Sequence, residues 1–245
     1  MIFVKQWVEY YDNIFIVDDK LINFCNKLAQ DFSETPKFLS IECGTGNLSV
    51  TLAKKYEVTA TDTEPDFIRI VKDRTLNLIR PFPVFNLNPK DIAKYLGKNF
   101  YNIIYSLNYR ILFTDKEENI IKLLKDCNKL LTKNGYFAFE ILLPPVFEPG
   151  QTILELPQIP NARTNLFTTF EKTTTPNVCK ITQTLKNKSG KKKAEIIDEK
   201  ICFFTNERMI EIAKEAGFSS IQFFSDYDFS PDKPENFKKI CLLKK

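Results

Sequence analysis

Between Lys37 and Leu142 the chain alternates short apolar runs with segments of helical period. That alternation restricts it to a largely parallel sheet with helices on both faces. The apolar runs predict strands at Lys37–Ile41, Glu57–Thr61, Val84–Leu87, Tyr101–Ser106 and Tyr136–Leu142. A helix is expected from about Asn47 to Lys55 and another from Pro65 to Arg74, where Phe67, Ile68, Ile70 and Val71 form one apolar face. Pro81 and Pro83 break the chain before the third strand. A long helix from about Lys116 to Leu131 carries Ile120, Leu123, Leu124, Cys127 and Leu130 at helical spacing, and Asn134-Gly135 reads as its stop.

From Pro144 to Thr205 the helical period disappears. Pro144, Pro145, Pro157 and Pro160 punctuate a loop-rich stretch, and strand-like runs follow at Leu166–Lys172, Val178–Leu185 and Glu195–Phe204. Asn187-Lys188-Ser189-Gly190 reads as a hairpin tip. Helical period returns at Asn206–Ala216, with Gly217 as its stop, and Ser220–Phe224 and Lys239–Leu243 supply two last strands. The expected fold class is α/β: a doubly wound, Rossmann-like sheet of seven strands. Residues 1–245 read as a single domain, with residues 144–204 forming an antiparallel β layer inserted before the last helix. No internal repeat is visible.

Composition narrows the chemistry. There is no histidine, so no imidazole serves as base, acid or metal ligand. The six cysteines are scattered without a CxxC pair, and neither a disulfide framework nor a metal site is expected. No stretch is apolar for long enough to span a bilayer. The start, Met1 to Trp7, runs into Glu9 and Asp12 and lacks the order of a signal peptide, so a cytoplasmic protein is expected. The net charge of +4 is mild, and the Lys191-Lys192-Lys193 run reads as a solvated hairpin tip.

In a doubly wound sheet, ligands bind where the first strand turns into the first helix. That turn reads Glu42-Cys43-Gly44-Thr45-Gly46-Asn47. Two glycines permit a tight turn and close backbone approach to a ligand. A carboxylate at Glu42 would repel a dinucleotide pyrophosphate, which binds a bare helix N-terminus. It suits a cation, and S-adenosylmethionine (SAM) carries a sulfonium and an ammonium without any phosphate. Asp62 closes the second strand about 20 residues on, where an acid can accept from both ribose hydroxyls. Asp62-Thr63-Glu64-Pro65 is also a good helix start, and both roles are open to Asp62.

The run Phe38–Arg74, with its Cys-Gly-Thr-Gly-Asn-Leu loop, resembles the first two motifs of class I SAM-dependent methyltransferases, especially the small-molecule branch. Asn88-Pro89-Lys90-Asp91-Ile92 resembles the segment flanking the adenine, with Asn88 where an Asp is usual. Tyr101–Ser106 resembles the start of the family's fourth strand, and Leu131–Tyr136 its Pro-Gly-Gly turn with Lys133 and Asn134 as departures. Phe203-Phe204-Thr205 and Ala216-Gly217-Phe218 resemble the borders of its last helix. The resemblance implies a SAM site built from Glu42, Gly44, Thr45, Gly46, Asn47, Asp62, Thr63, Asn88, Pro89 and Tyr105. It also implies that Trp7–Asp12 folds over the cofactor. The inserted layer becomes a lid over a small-molecule acceptor, with Arg163, Phe167 and Phe170 lining the pocket, and a surface for homodimers.

Methyl transfer is an in-line displacement that chiefly requires alignment of the nucleophile. A neutral amine needs no base; a hydroxyl usually does. Tyr11 and Glu140 are candidates for such a base, set against Tyr11 as simple packing and Glu140 as a solvent-facing strand end. The expected activity is methylation of a nitrogen or oxygen on a small molecule. Two alternatives stand beside it. One is an RNA or protein methyltransferase, although neither an Asn/Asp-Pro-Pro-aromatic motif nor a Pro-Cys nucleophile follows the fourth strand, and nucleic acid is not an expected partner. The other is a SAM-binding pseudo-enzyme acting through partners.

Overall fold

The computed structural model describes residues 5–156, 158–160 and 163–245, so Met1–Val4 and Pro157 of the sequence reading lie outside the described residues. In chain order the elements are α1 (Lys5–Ile14), α2 (Asp19–Ala29), β1 (Lys37–Ile41), α3 (Asn47–Ala53), β2 (Glu57–Asp62), α4 (Pro65–Thr75), β3 (Val84–Asn86), α5 (Ile92–Tyr95), β4 (Tyr101–Ser106), α6 (Glu117–Leu130) and β5 (Leu131–Leu142). There follow β6 (Ile153–Glu155), β7 (Ile159–Pro160), β8 (Thr164–Lys172), β9 (Val178–Asn187), β10 (Lys192–Cys202), α7 (Asn206–Glu215), β11 (Ser220–Phe224) and β12 (Lys238–Lys244).

The seven-stranded sheet has the order β3-β2-β1-β4-β5-β12-β11. The first five strands are mutually parallel, while β12 runs antiparallel to both β5 and β11. Strand order reverses between β1 and β4, so the loops leaving these two strands diverge around a crevice. The fold is the Rossmann-like one expected from the alternation. A second sheet, antiparallel, has the order β10-β9-β8-β6, with β7 pairing onto β8. It lies in the chain between β5 and α7, as the sequence pattern placed it.

The differences have local causes. β6 and β7 arise from a stretch that reads as loop, because three and two residues are too short to show a period. α6 stops at Leu130 and the chain becomes extended at once, so β5 starts before Tyr136. Tyr101 pairs with Leu131 but Ile103 with Tyr136, and Asn134 adopts φ 62 in the resulting bulge. Asn134-Gly135 therefore reshapes a strand rather than ending a helix.

The sheet separates two apolar clusters. One face packs Ile104, Phe137 and Phe139 against Leu124 of α6 and Met209 of α7, and continues through Phe203 into Phe170 of the second sheet. The other packs Phe38 and Val58 against Phe24, Leu52 and Val71 of α2, α3 and α4. A third cluster joins Trp7 and Tyr11 of α1 to Phe67 of α4 and to Leu166, Leu185 and Ile196 of the second sheet. α1 is thereby held between the α/β body and the inserted layer. Among the described residues no helix is long and apolar enough to cross a membrane.

Phe139 has no exposed surface and stacks on Phe137 with ring centroids 4.7 Å apart. Phe139→Ala is expected to lower the unfolding free energy by about 3–5 kcal/mol in urea titration. A loss under about 1 kcal/mol would contradict this packing.

Candidate functional site

The turn after β1 is built from left-handed backbone. Glu42, Gly44 and Gly46 have φ of 56°, 57° and 74°. For the glycines this conformation is cheap; for Glu42 it costs about 1–2 kcal/mol. The turn is also too crowded for side chains. A Cβ on Gly46 would lie 2.7 Å from Val71 of α4, and one on Gly44 would lie 2.4 Å from the ring of Tyr11. Both glycines are thus required by close approach as well as by φ.

Three charged groups converge beside this turn. Asp62, at the end of β2, is 1% exposed. Its Oδ2 accepts from the Gly44 N–H at 2.8 Å and its Oδ1 from the Glu64 N–H at 2.8 Å. Glu64, not Asp62, caps α4, so Asp62 braces the turn while priming the next helix. Glu42 meets Arg110 at 3.3 Å, and their side chains are 8% and 5% exposed. Thr63 donates to the other Glu42 oxygen at 3.5 Å. Burial raises the Asp62 carboxyl to about 7; the Glu42 charge adds to the rise, while Arg110 and the two backbone donors oppose it. Among these three groups there are two carboxylates and one guanidinium.

α1 closes over the turn. Asp12 accepts from the Thr45 hydroxyl and, at 2.6 Å, from Arg74 of α4. Arg74 also donates to the Thr45 carbonyl and the Asn47 side chain, each at 2.8 Å. Tyr11 lies edge-on to Phe67 at 4.7 Å. Burial pushes its phenol above the ordinary range, partly offset by Arg110. The space left between Tyr11, Phe15, Glu42, Asn47, Tyr105 and Asn108 is about 30 Å³.

The remaining residues singled out from the sequence fall into two groups. Glu42, Gly44, Thr45, Gly46, Asn47, Asp62 and Thr63 are brought together at the turn. Tyr105 lies beneath it, its hydroxyl 2.9 Å from Ser49. Asn88 stands further out on the surface, where its side chain caps a short turn by accepting from the Lys90 N–H at 2.9 Å, with Pro89 as the first residue of that turn.

A second cavity, of about 500 Å³, opens between α1, the second sheet and the C-terminal ends of β4 and β5. Phe15, Leu107 and Asn108 border both cavities. Phe170 lines it as expected. Phe167 and Arg163 do not: alternation along β8 sends Phe167 to the opposite face, under Lys186, and Arg163 pairs with Glu9 on the surface. Nor is Glu140 a solvent-facing strand end. It is 2% exposed and accepts from the Tyr109 N–H at 2.9 Å, the Tyr227 hydroxyl at 2.8 Å and Lys238 at 2.8 Å. β12 runs beside β5 there and brings Lys238 alongside, a pairing no local pattern announces.

Sequence reasoning missed Arg110, Asn108 and the Asp12–Arg74 pair. The available signal was the polar run Asn108-Tyr109-Arg110 just after β4, at the reversal of strand order. Asn108 and Tyr109 both have positive φ, which points Arg110 toward Glu42 across the crevice.

The raised Asp62 carboxyl sets a sign for pH dependence. Its proton is favoured in the fold, so its contribution to stability is complete below the ordinary value of 3.8 and lost as pH rises through about 7. The stability difference, wild type minus Asp62→Asn, should fall by up to about 1.4 kcal/mol per pH unit across that window. Urea titrations of both proteins at several pH values check this, and a difference that stays level or rises would contradict it.

A family model described as a methyltransferase domain matches residues 16–222. A comparison with curated protein sequences finds no match. Among solved structures, a SAM-dependent methyltransferase from Clostridium acetobutylicum superposes with a TM-score of 0.77 at 15% identity, over 98% of this chain and 97% of that one. A SAM-bound amino pentose methyltransferase from Micromonospora echinaspora gives 0.65 at 11% identity, covering 100% and 98%. A sugar N-methyltransferase from Streptoalloteichus gives 0.66 at 12% identity, covering 100% and 95%. With its parallel sheet, its glycine turn at the reversal of strand order and a family match over most of its length, this chain belongs to the methyltransferase-domain family and shares the fold of solved SAM-dependent methyltransferases.

Proposed function

We propose that the chain transfers a methyl group from SAM to an amine of a small-molecule acceptor. The observation that carries the cofactor side is the charge imbalance at the turn. Among the described residues Glu42 and Asp62 are buried beside a single guanidinium, Arg110, and a further cation there would favour the ionised form of Asp62, which burial otherwise keeps protonated to about pH 7. The methionine end of SAM supplies that cation. Its ammonium complements Glu42, its carboxylate complements Arg110, and Asp62, with Thr63 beside it, faces the ribose hydroxyls. Asn88 and Pro89 flank the adenine. In donor chemistry the residues fit the cofactor. The room of about 30 Å³ beneath Tyr11 and Phe15 means that α1 withdraws to admit it.

The acceptor side follows from what the larger cavity offers. Glu140 is saturated by three donors, and burial raises the phenols of Tyr109 and Tyr227 above their ordinary range. Asp18 caps α2, and Asp226 is held by Lys20 at 2.6 Å. Among the described residues of this lining each carboxylate already accepts from a backbone N–H, a hydroxyl or a lysine, an arrangement that favours an acceptor needing no base. A neutral amine attacks without one. In this reading Glu140 and Tyr11 shape the site and do not act as bases. Two of the similar structures are named for a sugar N-methyltransferase and an amino pentose methyltransferase, which supports the same choice. Asp18 and Asp226 at the cavity count against RNA, whose phosphates they would repel. The second sheet serves as the lid of this cavity, through Leu166, Thr168 and Phe170.

The test is a panel of paired acceptors, amino sugars and simple amines beside their hydroxyl counterparts, incubated with SAM and analysed by mass spectrometry. Methylated amines and unmodified alcohols are expected, with Arg110→Met raising the KM for SAM by about tenfold or more. Transfer to the hydroxyl compounds, or no transfer to any amine, would overturn the proposal.

A further inference from the structure

The parallel strands have a second end, and it is built differently. At their N-terminal edge, one strand length from Glu42, a cleft of about 840 Å³ opens where Lys37 starts β1, Glu57 starts β2 and Tyr101 starts β4. The segment Ile79–Pro83 forms one wall, and Pro81 and Pro83 hold it extended. The volume is within the range of about 300–1,000 Å³ usual for small-molecule sites.

Its lining is cationic. Lys37, Lys54, Lys55 and Arg80 border the cleft, and Glu57 is the one acidic residue among the described lining. Among the described residues no carboxylate pairs with any of the four. Elsewhere on this surface lysines find partners, as Lys20, Lys122, Lys125 and Lys129 do. Four cations lining one cleft make its potential positive and favour an anion bound within it. The cleft also offers aromatic surface. Phe100 is 44% exposed, with the Lys37 ammonium 4.3 Å from its ring centroid, and Lys55 lies 5.2 Å from that of Tyr56. Ile79 is fully exposed on the rim. Apolar rings beside cations that have no carboxylate partner among the described residues suit a ligand with a flat apolar body and a negative group.

We propose that this basal cleft is a second binding site, for a small planar aromatic anion. Lys54, Lys55 and Arg80 take the anionic group, and the Phe100 ring takes the planar body. Two sources share that chemistry: a nucleoside phosphate, and a simple aromatic phosphate or carboxylate. The site is separate from the methyl-transfer reading and does not depend on it.

Titration of the full chain with 2-naphthyl phosphate, followed by calorimetry, tests the proposal. One saturable site with Kd below about 1 mM is expected. Lys54→Gln/Arg80→Gln should raise that Kd by about tenfold or more, and Phe100→Ala by about threefold or more. Unchanged circular dichroism and urea midpoints confirm that these surface variants fold. Inorganic phosphate alone should bind at least about tenfold more weakly than the aromatic probe. Displacement of the probe by ADP identifies the nucleoside phosphate as the source, and its failure to displace identifies the simpler anion. The proposal is overturned by no saturable binding of either probe up to about 10 mM, by phosphate binding as well as the probe, or by variants that leave the affinity unchanged.

Discussion

Two carboxylates and one guanidinium share a nearly dry volume at the C-terminal ends of β1, β2 and β4, and the site is organised around that unequal sum. Glu42 comes from the turn after β1, Asp62 from the end of β2 and Arg110 from the segment after β4. Each binds across an element boundary. Asp62 holds the Gly44 N–H, and Arg110 holds Glu42. Buried charge is tolerated only when paired and hydrogen-bonded. Here Glu42 is paired with Arg110, while burial, with the Glu42 charge beside it, keeps the proton on Asp62 to nearly neutral pH. A cation brought to this place relieves the imbalance. That is the physical basis of the proposal that the turn takes the sulfonium and ammonium of SAM.

α1 links this cluster to the rest of the molecule. Its inner face meets the turn through Tyr11 and Asp12, and its other contacts reach Leu166, Leu185 and Ile196 of the antiparallel sheet. Trp7, with no exposed surface, sits at the centre of that contact. The helix is therefore a wall common to the glycine turn and the larger cavity, with Phe15 bordering both. Withdrawal of α1 to admit a cofactor also disturbs its packing on the lid. Gln183 of the lid donates to the Tyr109 hydroxyl at 3.2 Å, and Tyr109 binds Glu140 through its N–H. The second sheet, the larger cavity and the Arg110 segment are thus joined through neighbouring residues.

The legible parts of this chain were those with short-range causes. Alternation gave away β1, β2 and β4, because strands buried on both faces are apolar throughout. The glycine turn was legible because its backbone angles and crowding admit little else. Arg110 was not, since its partner is 68 residues away and the approach depends on two left-handed residues, Asn108 and Tyr109. Glu140 misled for the same reason: Lys238, which neutralises it, stands 98 residues later on an antiparallel strand. The sequence suggests that Glu42 suits a cation, and the fold pairs it first with the Arg110 guanidinium. The bulge at Asn134 replaced an expected helix stop, because left-handed Asn serves a strand irregularity as well as a helix end.

The central claim is that the Glu42–Asp62–Arg110 cluster is a cation-seeking cofactor site. Calorimetric titration of the full chain with SAM, alongside Glu42→Gln, tests it most directly. One-to-one saturable binding by the wild-type chain is expected, with an affinity lower by about tenfold or more in the variant. An absence of binding by the wild-type chain, or equal affinity in Glu42→Gln, would contradict it.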